Sequence, residues 1–343
     1  MRKIHLAAIG LFLSLLYIGC SKKTTPADNG TVSGLNLPSV DYDYAPALPA
    51  HIQSALAGND NTPVFNPITN AGATLGRVLF YDKLLSRNNT VNCASCHKLD
   101  YSFTDDKMLS PGFAGQPTVR HSMGLMNVRF YRSGKMFWDE RSPSLEHQVL
   151  QPVQNMVEMG MTIPEVVDRV KGASYYPELF RKAFGSSLID SVHISYALAQ
   201  FVRSMVTTQA KYDLVKEGRA TFTPAEAAGE QLFLTAGGPN ACASCHKPPM
   251  FLSSEPSAPF GLPDPADQGI NNSGNFKSRS LRNIAVSGPY FHNGSISSLA
   301  AILTSTIPKH RVAPQDVQNL IAFMNTLTDN SLQTDPRFAN PFR

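Results

Sequence analysis

Cys93-Ala-Ser-Cys96-His97 and Cys242-Ala-Ser-Cys245-His246 are one pentapeptide written twice, and with Cys20 they contain every cysteine of the 343-residue chain. Two thiols three positions apart can each add to a vinyl group of one porphyrin, and the histidine that follows offers an axial nitrogen to its iron. The pattern predicts two covalently attached c-type haems. A structural zinc site takes four ligands in two closely placed knuckles, and a thioredoxin-like dithiol needs no histidine in register. Neither accounts for a histidine directly after both pairs.

The repetition spreads outward from these motifs. Gly76-Arg-Val-Leu-Phe80 precedes the first as Gly229-Glu-Gln-Leu-Phe233 precedes the second. Downstream, Asn127, Phe137-Trp138 and Leu145 are echoed in order by Asn283, Phe291-His292 and Leu299. The same order in both halves predicts an internal duplication. Apolar spacing is helical over Ala71–Leu85, over Ile194–Val215 and over Pro314–Leu327. Thr162-Ile-Pro-Glu165 and Thr223-Pro-Ala-Glu226 read as capping boxes with proline in the first turn. No alternating run argues for a large sheet. The expected class is mainly α: two cytochrome c-like haem domains related by duplication, with long loops such as Ser253–Gly274 that a porphyrin could organise.

Before the first domain, Arg2 and Lys3 lead into an apolar run from Leu6 to Ile18 and then Gly19-Cys20. This reads as a signal peptide over 1–19, and the small residue before Cys20 resembles a bacterial lipoprotein processing site; the alternative is a plain signal cut nearby with Cys20 left as a thiol. Export agrees with the haem reading and implies the periplasm. Residues 20–48, rich in Thr, Pro, Gly, Asn and Asp, read as a lipid-anchored flexible tether. Domains are then expected at 49–218 and 219–343. A formal net charge of +4 without a basic block gives no nucleic-acid face, and no further segment could span a membrane, leaving the lipid anchor as the membrane link.

Leu75-Gly-Arg-Val-Leu-Phe80, Phe137-Trp-Asp-Glu-Arg141, Leu145-Glu-His-Gln148, Pro152, Glu158-Met159, Phe276-Lys-Ser-Arg-Ser-Leu-Arg-Asn283 and Pro289-Tyr-Phe-His-Asn-Gly294 follow one another in a distinctive order. In these residues the chain, over about 65–328, resembles the bacterial dihaem cytochrome c peroxidases and the related MauG enzymes. The resemblance implies a peroxide-reactive N-terminal haem and a C-terminal haem that relays electrons from a small donor, a cytochrome c or cupredoxin. It implies His97 and His246 as proximal ligands, Glu158 as acid/base group with Gln148 and Pro152 lining the same pocket, and Trp138 between the haems. The residue chemistry agrees: cleaving the O–O bond of hydrogen peroxide moves a proton between oxygens, and a carboxylate among apolar neighbours has the raised pKa that suits the task. Arg141 and Arg282 are candidate propionate partners, surface ion pairing being the alternative.

The chain departs from the family pattern in three places. No histidine lies between Lys98 and Arg120, where many members carry a distal ligand, so the first haem is expected to be open already when oxidised. His121 stands where the family usually has an asparagine that binds an interface calcium; Ser287 and Pro289 match that ion's carbonyl ligands. At the second haem the family's methionine or tyrosine position falls on Thr306, which leaves His310 as candidate sixth ligand and Met324 as the lesser alternative, better suited to the core. His147, His193 and His292 read as structural. Besides peroxide reduction, oxidation of a protein partner and plain electron carriage fit the same motifs, and a homodimer is a candidate assembly.

Overall fold

Thr69 starts the helix on which the first half is built: its hydroxyl accepts the Gly72 amide at 3.0 Å. The computed structural model describes residues 34–56, 58–235, 242–252, 266–307 and 310–342. The expected signal, Cys20 and most of the Ser253–Gly274 loop lie outside them. In chain order the helices are α1 Ala50–Ala55, α2 Asn70–Tyr81, α3 Cys93–Cys96, α4 Leu145–Gln148, α5 Gln151–Gln154, α6 Ile163–Gly172, α7 Tyr176–Phe184, α8 Ser191–Arg203, α9 Lys211–Lys216, α10 Pro224–Leu234, α11 Cys242–Cys245, α12 Leu299–Thr304 and α13 Val317–Asn325. Both expected capping boxes form, at the starts of α6 and α10. Among the described residues extended pairing is limited to isolated bridges, so the chain is mainly helical. No described helix is long and apolar enough to cross a membrane.

The helix expected over Ile194–Val215 breaks in two. After Arg203 the amides of Thr207 and of Thr208 and Gln209 bond instead to the side chains of Asn127 and Asp329, at 3.1, 3.0 and 2.9 Å. Side-chain acceptors from distant elements outcompete the helical ladder, which periodicity within one segment cannot register.

Two apolar cores form, and the same contacts recur in each. Gly76 of α2 lies so close to α8 that an added Cβ would stand 2.0 Å from the Ala197 carbonyl, and Gly229 of α10 repeats this on α13 at 1.9 Å from that of Asn319. Phe80 packs on Phe103 and Phe201 as Phe233 packs on Phe251 and Phe323. Asn127 and Asn283 both adopt left-handed φ, 63° and 60°, and their amides bond the carbonyls of Met205 and Leu327.

Packing crosses the expected domain limits. Leu332 and Phe338 join the first core rather than the second, and the Tyr44 hydroxyl donates to the Arg337 carbonyl at 3.1 Å. The flexible tether expected to residue 48 also ends earlier. Leu35 and Tyr44 are 4% and 1% exposed, because apolar side chains scattered through that polar stretch dock between the C-terminal segment and α2 and α8.

Candidate functional site

α3 is a single turn that presents Cys93 and Cys96 together, started by a reciprocal bond pair between Asn92 and Ser95. The His97 amide closes the turn on the Cys93 carbonyl at 2.9 Å. Phe103, held at a left-handed φ of 56°, aims its carbonyl at His97 Nδ1, 3.1 Å away. A donor bond from Nδ1–H fixes the tautomer and leaves the Nε2 lone pair for a metal. α11 repeats the design: the His246 amide bonds the Cys242 carbonyl at 2.8 Å, and Phe251, φ 52°, supplies the backbone bond to the ring. No disulfide joins any of the four cysteines. Burial pushes Cys93, Cys96 and Cys242 to about 12, 11 and 11, so they stay thiols at neutral pH. Two thiols and one oriented imidazole, provided twice, fit two covalently linked haems.

Glu158 lies at the first of these sites. Burial raises its pKa against the opposing charge of Arg141, and its own negative charge helps raise both Cys93 and Cys96, so the carboxyl lies within electrostatic reach of the cysteine pair. Asn155 Nδ2 donates to Oε1 at 3.0 Å. The loop is fixed from outside: the amides of Phe113 and Arg87 bond the carbonyls of Glu158 and Met159, both at 2.9 Å. Gly112 touches the Val157 carbonyl so closely that a Cβ would stand 1.7 Å away. Gln148 ends α4 and Pro152 is the second residue of α5, both partly buried on the segment that leads to Glu158. α4 is pinned by Glu146, whose carboxylate accepts Arg203 of α8 at 2.5 and 3.0 Å and Asn66 at 2.9 Å.

Trp138 is 8% exposed and sits where the halves meet. Its Nε1–H donates to the His121 carbonyl at 2.8 Å, and its own carbonyl accepts the Lys277 amide at 2.7 Å. The His121 amide reaches the His292 carbonyl at 2.7 Å, and the His292 ring stacks on Phe276 with 3.6 Å between centroids. Arg120, not singled out in the sequence, ties this seam by ion pairs to Asp139 at 2.7 Å and Asp267 at 2.6 Å. The His121 ring is committed: Nδ1 to the Lys107 and Met108 carbonyls, Nε2 to the Thr104 hydroxyl. Burial brings its pKa to about 4. It is a neutral brace rather than an iron ligand.

Two expectations are corrected by geometry. Arg282 has its charge spent on a carboxylate of the chain rather than free for a propionate: it is wholly buried, with Nη1 and Nη2 on Asp213 at 2.7 Å each and Nε on the Pro249 carbonyl at 2.7 Å. Arg141, half-exposed over the Phe137 ring at 3.7 Å and paired with Asp139 at 2.8 Å, stays near Glu158. The Ser287–Pro289 turn does not present an open calcium position, because the Ser287 carbonyl already accepts Arg279 Nη2 at 2.8 Å and a fixed guanidinium repels a second cation. Sequence offered no means of telling which arginine of Phe276–Asn283 would be spent on a buried partner. His310 stands edge-on to Phe291 and near enough to His246 that its charge lowers that ring's pKa, to about 4 in combination with burial. Thr306 is exposed, and Met324 is in the second core.

A family model described as di-haem cytochrome c peroxidase matches residues 70–221. Methylamine utilization protein MauG of Methylorubrum extorquens is 33% identical over 290 residues, 77% of this chain and 80% of its own. Cytochrome c551 peroxidase of Pseudomonas aeruginosa is 30% identical over 284 residues, 76% and 80% respectively. A crystal structure of a MauG-like protein associated with microbial copper homeostasis aligns with a TM-score of 0.76 at 30% identity, covering 86% of this chain and 99% of that one.

Proposed function

The chain belongs to the dihaem cytochrome c peroxidase and MauG family and is a peroxidase-like oxidoreductase with two c-type haems, and on that premise we propose that it reduces hydrogen peroxide to water. Two electrons and two protons convert each peroxide to two waters. The proposed donor is a small redox protein, a cytochrome c or cupredoxin, and the haem held by 219–343 would relay its electrons to the haem held by 49–218. The proposed compartment is the periplasm, reached through the 1–19 leader with Cys20 as lipid attachment point. We also take the two halves as products of duplication, on the strength of the paired Gly76/Gly229 and Asn127/Asn283 contacts.

Bound haem supplies the iron coordination position and the electrons. The chain supplies the proton handling. Glu158 takes the proton from one peroxide oxygen and returns it to the other, which leaves as water; Gln148 orients the oxygens with its amide, and Pro152 keeps that wall of the pocket rigid. Trp138, bonded to both sides of the seam, provides the aromatic step between the haems. His97 and His246 would hold the irons, Arg141 would meet a propionate, and His310 is the proposed sixth ligand of the second iron.

The observation that carries this reading is a partly buried carboxyl group, Glu158, held by Asn155 at 3.0 Å within electrostatic reach of the first cysteine pair. Rapid mixing of the oxidised holoprotein with peroxide tests it: a high-spin spectral component that reacts at once is expected, and two low-spin haems inert to peroxide would leave only an electron carrier. Reaction appearing only after prior reduction would refute the first haem being open at rest. The likeness to MauG proteins supports a second reading, oxidation of residues on a protein partner, which cross-linking with peroxide present would reveal.

A further inference from the structure

We propose that Arg279 is the cation that holds a haem propionate at the seam between the two sites and raises the potential of the haem it serves; this rests on the two-haem reading. Its anchorage is built. Nη2 donates at 2.8 Å to both the carbonyl and the hydroxyl of Ser287, and that hydroxyl is itself oriented by the Asn283 carbonyl at 2.8 Å. Nη1 lies against Gly124, where an added Cβ would stand only 2.7 Å away.

The position lies between the iron ligands. Gly124 follows Met123, whose backbone bonds the His97 ring, while Ser278, the residue before Arg279, has its hydroxyl 3.5 Å from His246 Nδ1. One dipeptide thus reaches toward both proximal histidines.

Among the described residues the charge has no anionic partner. Among the described residues no carboxylate pairs with Arg279, whereas Arg120 and Arg282 of the same seam are each bonded by two donors to a carboxylate. Around it are Tyr131 and Tyr290, and burial works against its charge. A crowded guanidinium whose Nη1 and Nε have no hydrogen-bond acceptor among the described residues calls for a planar anion that can accept two parallel N–H bonds, and a carboxylate is that anion. The propionates are the carboxylates that the two cofactors would bring. A cation beside a haem favours the form with the extra electron, so the potential rises.

The test compares wild type, Arg279→Gln and Arg279→Lys holoproteins by haem-to-protein mass and by spectroelectrochemical titration. With two haems retained, Arg279→Gln is expected to lower the midpoint potential of one haem and shift its propionate bending mode in resonance Raman spectra, while Arg279→Lys restores most of the potential. Two haems with both potentials unmoved in Arg279→Gln overturns the proposal. Should that variant not load haem, Gly124→Ala, which presses on Nη1 but keeps the charge, decides: a smaller fall supports the assignment and unchanged potentials sink it. Wild type lacking covalent haem would instead defeat the two-haem reading.

Discussion

Glu158 gives the sharpest expectations of any single side chain. Glu158→Gln, with both haems retained, should slow peroxide consumption by about 10²-fold or more, read by stopped-flow absorbance. The sign of the pH dependence follows from the raised pKa. Only the ionised carboxyl accepts a proton, so wild-type turnover should fall as pH drops through a value above 4.5, and the variant should lose that limb. The same shift makes ionisation work against folding: the protonated carboxyl is the better-tolerated form, and this contribution disappears as pH rises through the folded-state value. Glu158→Gln should accordingly melt higher than wild type at neutral pH, with the difference closing below 4.5. The cysteine and histidine positions were legible from the chain because thioether chemistry demands local spacing. Choosing among arginines was not, since Arg279 and Arg282 differ only in what lies opposite each after folding.

At the scale of elements, the two glycine crossings make a matched pair of tests. Gly76→Ala and Gly229→Ala each drive a methyl into a facing carbonyl, and each should cost about 1–3 kcal/mol in denaturant unfolding. Equal losses would support a common plan; a loss confined to one would count against it. Arg203→Met strands the Glu146 carboxylate beneath α4 and should cost about 3–5 kcal/mol, with a rise in the KM for peroxide because Gln148 rides on that helix. Helix starts were readable because Thr-x-x-Glu is a local bond pattern. The break after Arg203 was not, because its causes, Asn127 and Asp329, are remote in sequence.

For the whole molecule, the seam and the C-terminal segment matter most. Arg120→Ala removes ion pairs to Asp139 and Asp267 and should slow electron passage between the haems, followed by flash reduction, while leaving haem content unchanged. Phe338→Ala should cost about 3–5 kcal/mol, and hydrogen exchange should place the loss in the first core, although the residue is only five from the C-terminus. A polar composition suggested slack chain through residue 48; two tyrosines and a few leucines were enough to overrule it.

A first core that is finished by Leu332 and Phe338 cannot shut while the polypeptide is still emerging. The N-terminal Cys-x-x-Cys-His turn therefore belongs to a core that stays incomplete until residues beyond the second motif have joined it. Folding of the first half is in this way tied to the presence of the second.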